Sequence, residues 1–103
     1  MSRSYRLTSG AESDVRKILE YTLERWGSKQ AAKYGFLLED AIEKLAAREL
    51  DGRGFSTNLP DVRVHRCEHH YIFFQPGDQS LLVLAILHES MDLTTRLRER
   101  LGD

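Results

Sequence analysis

Positions 81–87 read Leu-Leu-Val-Leu-Ala-Ile-Leu, seven apolar residues without a break, and the run stops at His88. An apolar stretch of this length, bounded by turn residues, reads as a strand buried on both faces, the spine of a sheet. A buried helical segment is the rival reading. Seven residues is short for a helix, however, and the β-branched Val83 and Ile86 favour extended backbone. Upstream, residues 62–67 and 70–74 read as adjacent antiparallel strands. The turn between them, near Glu68-His69, lacks the Asn-Gly or Gly-X signal that would fix its type. Pro76-Gly77 suits positions i+1 and i+2 of a type II turn leading into the apolar run.

The N-terminal half has a different period. Tyr5-Arg6-Leu7-Thr8 alternates and predicts a short strand. Ser9-Gly10-Ala11-Glu12 then has the spacing of a capping box. Val15, Ile18, Leu19, Thr22 and Trp26 recur at helical spacing, which predicts a helix over about 11–26 with Gly27 as its left-handed C-cap. Ser28 is placed to cap a second helix at once, so the two should form an antiparallel hairpin. Its buried stripe is Ala31, Tyr34, Leu38, Ala41, Ile42 and Leu45, and the pattern continues to about Glu49. Gly35, inside that helix, reads as a point of close helix–helix approach. Residues 51–61, with two glycines and a proline, read as a loop that could serve as a contact surface. After the apolar run, Asp92 can cap a short helix in which Leu93, Leu97 and Leu101 share one face, packed on the domain or on a partner. The order is β-α-α-β-β-β plus a C-terminal helix. This is an α+β fold in which a helical hairpin packs on a small, mostly antiparallel sheet.

The chain has 103 residues, which fits one domain spanning 1–103. Its 15 basic residues are matched by 16 acidic ones, a formal net charge of −1. That balance argues against a protein built mainly to grip phosphate backbones. Cys67 is the single cysteine, so no internal disulfide forms and nothing points to an oxidising compartment. The first residues lack the apolar core of a signal peptide, and no run approaches the ~20 apolar residues that span a bilayer. A soluble, cytoplasmic protein without membrane contact is expected.

Four histidines, His65, His69, His70 and His88, fall in or beside the strands. Adjacent His69 and His70 point to opposite faces of a regular strand, and the spaced Cys or His pairs of zinc sites are absent, so no metal site is expected. Cys67 lacks a nearby base that would activate it, and a small packed residue is the plainer reading. Gly52-Arg53-Gly54 lacks the rest of any phosphate-binding pattern. Arg63, His65, Arg66 and His88 could form a ribonuclease-like cluster, with histidine moving protons and arginine stabilising an oxyanion. Arg63 and His65 share a face while Arg66 points away. A solvated strand face explains the same residues equally well.

Taken in order, several short pieces resemble the ParE toxins of bacterial type II toxin–antitoxin systems, within the wider ParE/RelE superfamily. They begin with Tyr5-Arg6-Leu7-Thr8, Ala11-Glu12-Ser13-Asp14 and Ile18. Tyr21-Thr22, Trp26-Gly27 and Gln30-Ala31-Ala32-Lys33-Tyr34 follow. Next come Gly52-Arg53, Val62-Arg63 and His70-Tyr71-Ile72-Phe73-Phe74. The last are Ile86-Leu87-His88-Glu89-Ser90-Met91-Asp92 and Arg96-Leu97. The resemblance implies the same fold, inhibition of DNA gyrase with trapping of its cleaved-DNA complex, and neutralisation by a ParD-like antitoxin in a hetero-oligomeric complex. It implies no cofactor, no catalysis and no sequence-specific nucleic-acid binding by the chain itself. RelE-type relatives are instead ribosome-dependent mRNA endoribonucleases, and that is the alternative. The run 81–87 carries no arginine, which departs from the ribonuclease pattern. The target-binding candidates are therefore His88, Met91, Asp92 and Arg96 at the end of the apolar strand, with Arg53 and Arg63 second. Asp92 has a competing reading as a plain helix cap.

Overall fold

A computed structural model of the protein describes residues 4–102. In chain order it contains β1 (Ser4–Leu7), α1 (Ser9–Trp26), α2 (Ser28–Ala46), β2 (Arg53–Gly54), β3 (Arg63–Cys67), β4 (His70–Pro76), β5 (Ser80–His88) and α3 (Leu93–Leu101). The strands form one sheet in the order β1-β5-β4-β3-β2. β1 runs parallel to β5 and the other neighbours are antiparallel. The α+β architecture expected from periodicity is the one observed. The loop expected at 51–61 contributes one more strand: Arg53 and Gly54 pair with Val64 and Arg63 and close the far edge of the sheet.

The apolar strand is buried on both faces, as its composition requires. Leu81, Val83 and Ile86 join a core with Leu38, Ile42 and Leu45 of α2 and with Ile72 and Phe74 of β4. Leu84, Ala85 and Leu87 join a second core on the other face, with Val62, Val64, Phe73 and Leu97. Strict alternation would put Val83 and Ile86 on opposite faces. A β-bulge reconciles them: Phe73 pairs with Ala85 and Phe74 with Val83, so Leu84 is skipped. One extra residue flips the phase of the strand. The unbroken apolar run is thus what a bulged strand between two dry cores demands.

α3 supplies the cover for the second face. Leu97 is fully buried there, with Leu93 and Leu101 packed beside it. Of the two placements left open for this helix, packing on the sheet is the one observed.

Local details differ from the sequence expectation, each for a physical reason. Thr8, not Ser9, caps α1, and its side chain accepts the Ala11 N–H at 3.1 Å. Thr8 is already held extended at the end of β1 by donating its own N–H to Val83 O, so the cap falls where the strand stops. Gly27 is the one residue between the two helices, at φ 93° and ψ 171°. This is a glycine-only region and not the left-handed cap expected, because a single residue has to reverse the chain. Ser28 therefore sits inside α2 and caps nothing. α2 ends at Ala46, short of Glu49, because Arg48 takes a positive φ of 62° and turns the chain. Trp26, expected in the buried stripe, is the last residue of α1 and is 67% exposed. Gly35 does lie against α1, facing the Leu19 side chain. Gly77 does not have the positive φ of a type II turn; any side chain there would meet Ser80 O instead.

Candidate functional site

The end of β5 is built by three neighbouring segments. His88 stands opposite His70, which in turn pairs with Cys67, so the β3–β4 turn and the last residue of the apolar strand share one end of the sheet. The His70 and His88 rings meet edge to face with centroids 5.1 Å apart. His70 is buried, and its Nδ1 lies 2.5 Å from the Tyr34 hydroxyl of α2. The same hydroxyl accepts the His69 N–H at 3.2 Å. Burial above all, with His88 and His69 adding to it, pulls the His70 pKa down from 6.5 to about 4. Burial likewise raises the Tyr34 phenol above its usual value. At neutral pH both are uncharged and share one hydrogen bond. The pair is a wall holding the strand end against the hairpin.

Beyond His88 the chain turns tightly. The Ser90 N–H donates to His88 Nδ1 at 3.0 Å, and Met91 N–H donates to His88 O at 3.0 Å. Glu89 N–H reaches back to His69 O at 2.9 Å. The Glu89 carboxylate bridges Arg66 and His69, the latter at 2.9 Å. The His69 contact first, and Arg66 after it, hold the Glu89 carboxyl below its usual range. The Arg66 guanidinium also lies over the Tyr71 ring, 5.6 Å from its centroid. Asp92 then caps α3, accepting from Thr95 N–H at 3.3 Å and Thr95 Oγ1 at 2.9 Å. Those bonds, the side-chain one first, lower its pKa. The capping reading of Asp92 is therefore realised. Outward from this frame stand Met91, 43% exposed, and Arg96, exposed and without an ion pair among the described residues.

The six candidate residues do not form one group. His88, Met91, Asp92 and Arg96 gather where β5 passes into α3. Arg63 lies opposite Phe74, four residues along β3 from Cys67 and so ~13 Å from that end. Arg53 is on the edge strand beside it. Arg63 is also committed: it donates to Asp61 and Asp51, both at 3.0 Å. His65 sits near Asp51 O at 3.3 Å. Arg63, His65, Arg66 and His88 thus do not converge on a common point. Arg66, His69, Glu89 and Tyr34 take part in the site, although none of them is among the target-binding candidates read from sequence, where Arg66 falls in the ribonuclease-like cluster, His69 among the histidines and Tyr34 in the buried helix stripe. Their partners lie 20 to 36 residues away, so no local spacing could have signalled them.

A second surface lies on the hairpin side. Tyr5, Leu7, Val15, Leu19, Phe36 and Ile42 line an open apolar groove of about 390 Å³ between the two helices and the edge strand β1. Phe36 is 64% exposed at its rim. No helix among the described residues is long and apolar enough to cross a membrane.

Comparison with known proteins gives one consistent answer. Residues 5–93 match the family model described as the ParE toxin of the type II toxin–antitoxin system parDE. The chain is 48% identical to Toxin ParE of Escherichia coli over 95% of its own length and 96% of that protein's. It is 32% identical to Toxin ParE1 of Mycobacterium tuberculosis, covering 94% of this chain and all of the relative. Among solved structures, the fold resembles a chain of the chromosomal ParDE toxin–antitoxin system from P. aeruginosa. There the TM-score is 0.69 and identity 20%, over 84% of this chain and 96% of that one. It also resembles a chain of the RelBE2 toxin–antitoxin complex from M. tuberculosis, with TM-score 0.60, 18% identity, and 85% and 99% coverage. With a buried, bulged strand ending in a capped polar turn and a family match across nearly all of its length, the chain belongs to the ParE toxins of type II toxin–antitoxin systems.

Proposed function

We propose that this protein is a non-enzymatic toxin that inhibits DNA gyrase by binding it and trapping the cleaved-DNA complex. The target surface is the end of β5 with the start of α3: His88, Met91, Asp92 and Arg96. Arg53 and Arg63 lie at the other end of β3 and form a separate, secondary contact region. A ParD-like antitoxin neutralises the toxin in a hetero-oligomeric complex in the cytoplasm. The apolar groove at Leu19 and Phe36 has the shape and chemistry to take an amphipathic segment of that antitoxin.

One observation carries the choice of binder over nuclease. Both arginines of the ribonuclease-like cluster are paired with carboxylates, Arg63 with Asp51 and Asp61 and Arg66 with Glu89. A transition-state phosphorane needs cationic donors aimed at empty space, not at carboxylates. By contrast, Met91 and Arg96 face solvent from a frame pinned by a helix cap and a cross-strand histidine pair. A rigid, exposed presentation of an apolar and a cationic side chain suits protein recognition.

The test uses the purified full chain in two parallel assays, gyrase supercoiling and cleavage of ribosome-bound mRNA. Supercoiling inhibition with intact mRNA is the expected result. Codon-specific mRNA cuts with unaffected gyrase would overturn the proposal and establish the endoribonuclease alternative.

A further inference from the structure

α3 is fastened at both ends. Asp92 caps its start, and at its far end Arg100 reaches over the edge of the sheet to Asp14 on α1. The contact is bidentate, Nη1 to Oδ2 and Nη2 to Oδ1, each 2.8 Å. Asp14 Oδ2 also accepts the Ile86 N–H at 2.9 Å, and Arg100 Nη1 donates to Leu84 O at 3.3 Å. Those two backbone groups lie where β5 loses its neighbour. The pairing with β1 ends at Leu7 opposite Val83, and the bulge leaves Leu84 without a partner on β4. With the Thr8 hydroxyl, which also donates to Leu84 O at 3.2 Å, the ion pair takes the place of the missing strand. The Asp14 side chain is only 13% exposed and that of Arg100 29%, so solvent screens the pair weakly. Gly10 makes room for it: a Cβ there would come within 3.0 Å of Arg100 Nη1 and 3.1 Å of its Cδ.

The apolar stripe of α3 is narrow, with Leu97 buried and Leu93 and Leu101 beside it, and the hydrophobic effect that buries it is non-directional. A bidentate arginine–carboxylate pair fixes both distance and angle. Arg96 lies one helical turn from Arg100, and Met91 and Asp92 lie just before the helix. A rocking motion at the Arg100 end therefore displaces Arg96, while Met91 and Asp92, at the pinned end, move least.

We propose that the Asp14–Arg100 pair is a positioning latch, which holds α3 in the orientation that presents Arg96 to the target beside Met91 and Asp92. Inhibition depends on the latch although neither residue touches the target. This inference rests on the reading of that edge as the target surface.

The experiment compares Asp14→Asn, Arg100→Gln, Arg100→Lys and the Asp14→Asn/Arg100→Gln double variant in the full chain, with Met91→Ala and Arg96→Ala beside them. Growth arrest on induction and supercoiling inhibition are read well below the melting temperature of every variant, and hydrogen exchange follows the Ile86 amide. Each single latch variant should lose roughly tenfold in inhibition, with the double no worse than either single, the signature of one coupled pair. Arg100→Lys should recover part of the loss, since it keeps the charge but not the fork. Full activity of Arg100→Gln, or additive losses in the double variant, would overturn the latch. Loss in Met91→Ala and Arg96→Ala with an active Arg100→Gln sinks the latch and spares the target surface. Full activity of Met91→Ala and Arg96→Ala sinks the target surface and the latch with it. Growth arrest without supercoiling inhibition by the unaltered chain sinks the gyrase reading alone, and the latch is then judged on growth.

Discussion

His70 shows how one residue couples burial to charge. It is only 9% exposed, it shares a hydrogen bond with Tyr34, and its ring abuts His88. A protonated imidazole there would lose water and face His88 and His69. The unfolded chain binds a proton on this imidazole near 6.5, whereas the folded chain does so near 4. Across that window the unfolded state holds more protons, so stability is complete above pH 6.5 and falls as the pH drops toward 4. The denaturation midpoint should follow this course in the unaltered protein. His70→Gln, which cannot titrate, should lower the midpoint overall but flatten its slope between those limits. An unchanged slope in the variant would show that His70 does not set the acid sensitivity of this window; Glu89, held below its usual range, loses its contribution only at lower pH.

At the scale of elements, the legible parts are those written in local pattern. Both helices, the three longer strands and the Asp92 cap follow from periodicity and capping chemistry within a few residues. What escaped is set by distant partners. β2 exists because Arg53 and Gly54 find an open edge on β3, and two residues leave no periodic trace. The role of Asp14 has no local signal either, because Arg100, 86 positions away, is brought to it only by the fold. The candidate site was half legible: its four C-terminal residues do cluster, but Arg53 and Arg63 sit apart from them, and the Tyr34–His70 wall had no sequence signal. Gly27 marks the limit of local reading. Glycine was expected there, but its geometry follows from the one-residue link between α1 and α2. Gly27→Ala should destabilise the fold by about 1–3 kcal/mol, the usual cost of forcing a side chain into this region. Nothing lies within 4 Å of a Cβ built there, so the strain is in the backbone and not steric. A chemical-denaturation midpoint equal to that of the parent would show that the link can rearrange.

For the molecule as a whole, the sheet divides the labour. Its hairpin face carries the apolar groove, and the end of β5 carries the polar turn and α3. The two surfaces belong to different cores, one under α1 and α2 and the other under α3. A toxin held by an antitoxin on one surface and directed at its target by another should therefore be separable by substitution. Removing everything after Leu87 is a poor way to show it, because Leu97 is 1% exposed and its loss would strip Val62, Phe73 and Leu84 of their cover. Single exposed positions avoid that problem. Phe36→Glu, at the groove rim, should keep growth arrest but weaken neutralisation by a co-expressed ParD-like antitoxin, since a charge in an apolar groove must be desolvated on binding. Arg96→Glu should do the reverse, abolishing arrest while the antitoxin still binds. Co-expression titrations, with binding measured on the purified variants, read both effects. If each substitution weakened arrest and neutralisation together, antitoxin and target would share one surface, and neutralisation would work by direct competition for it.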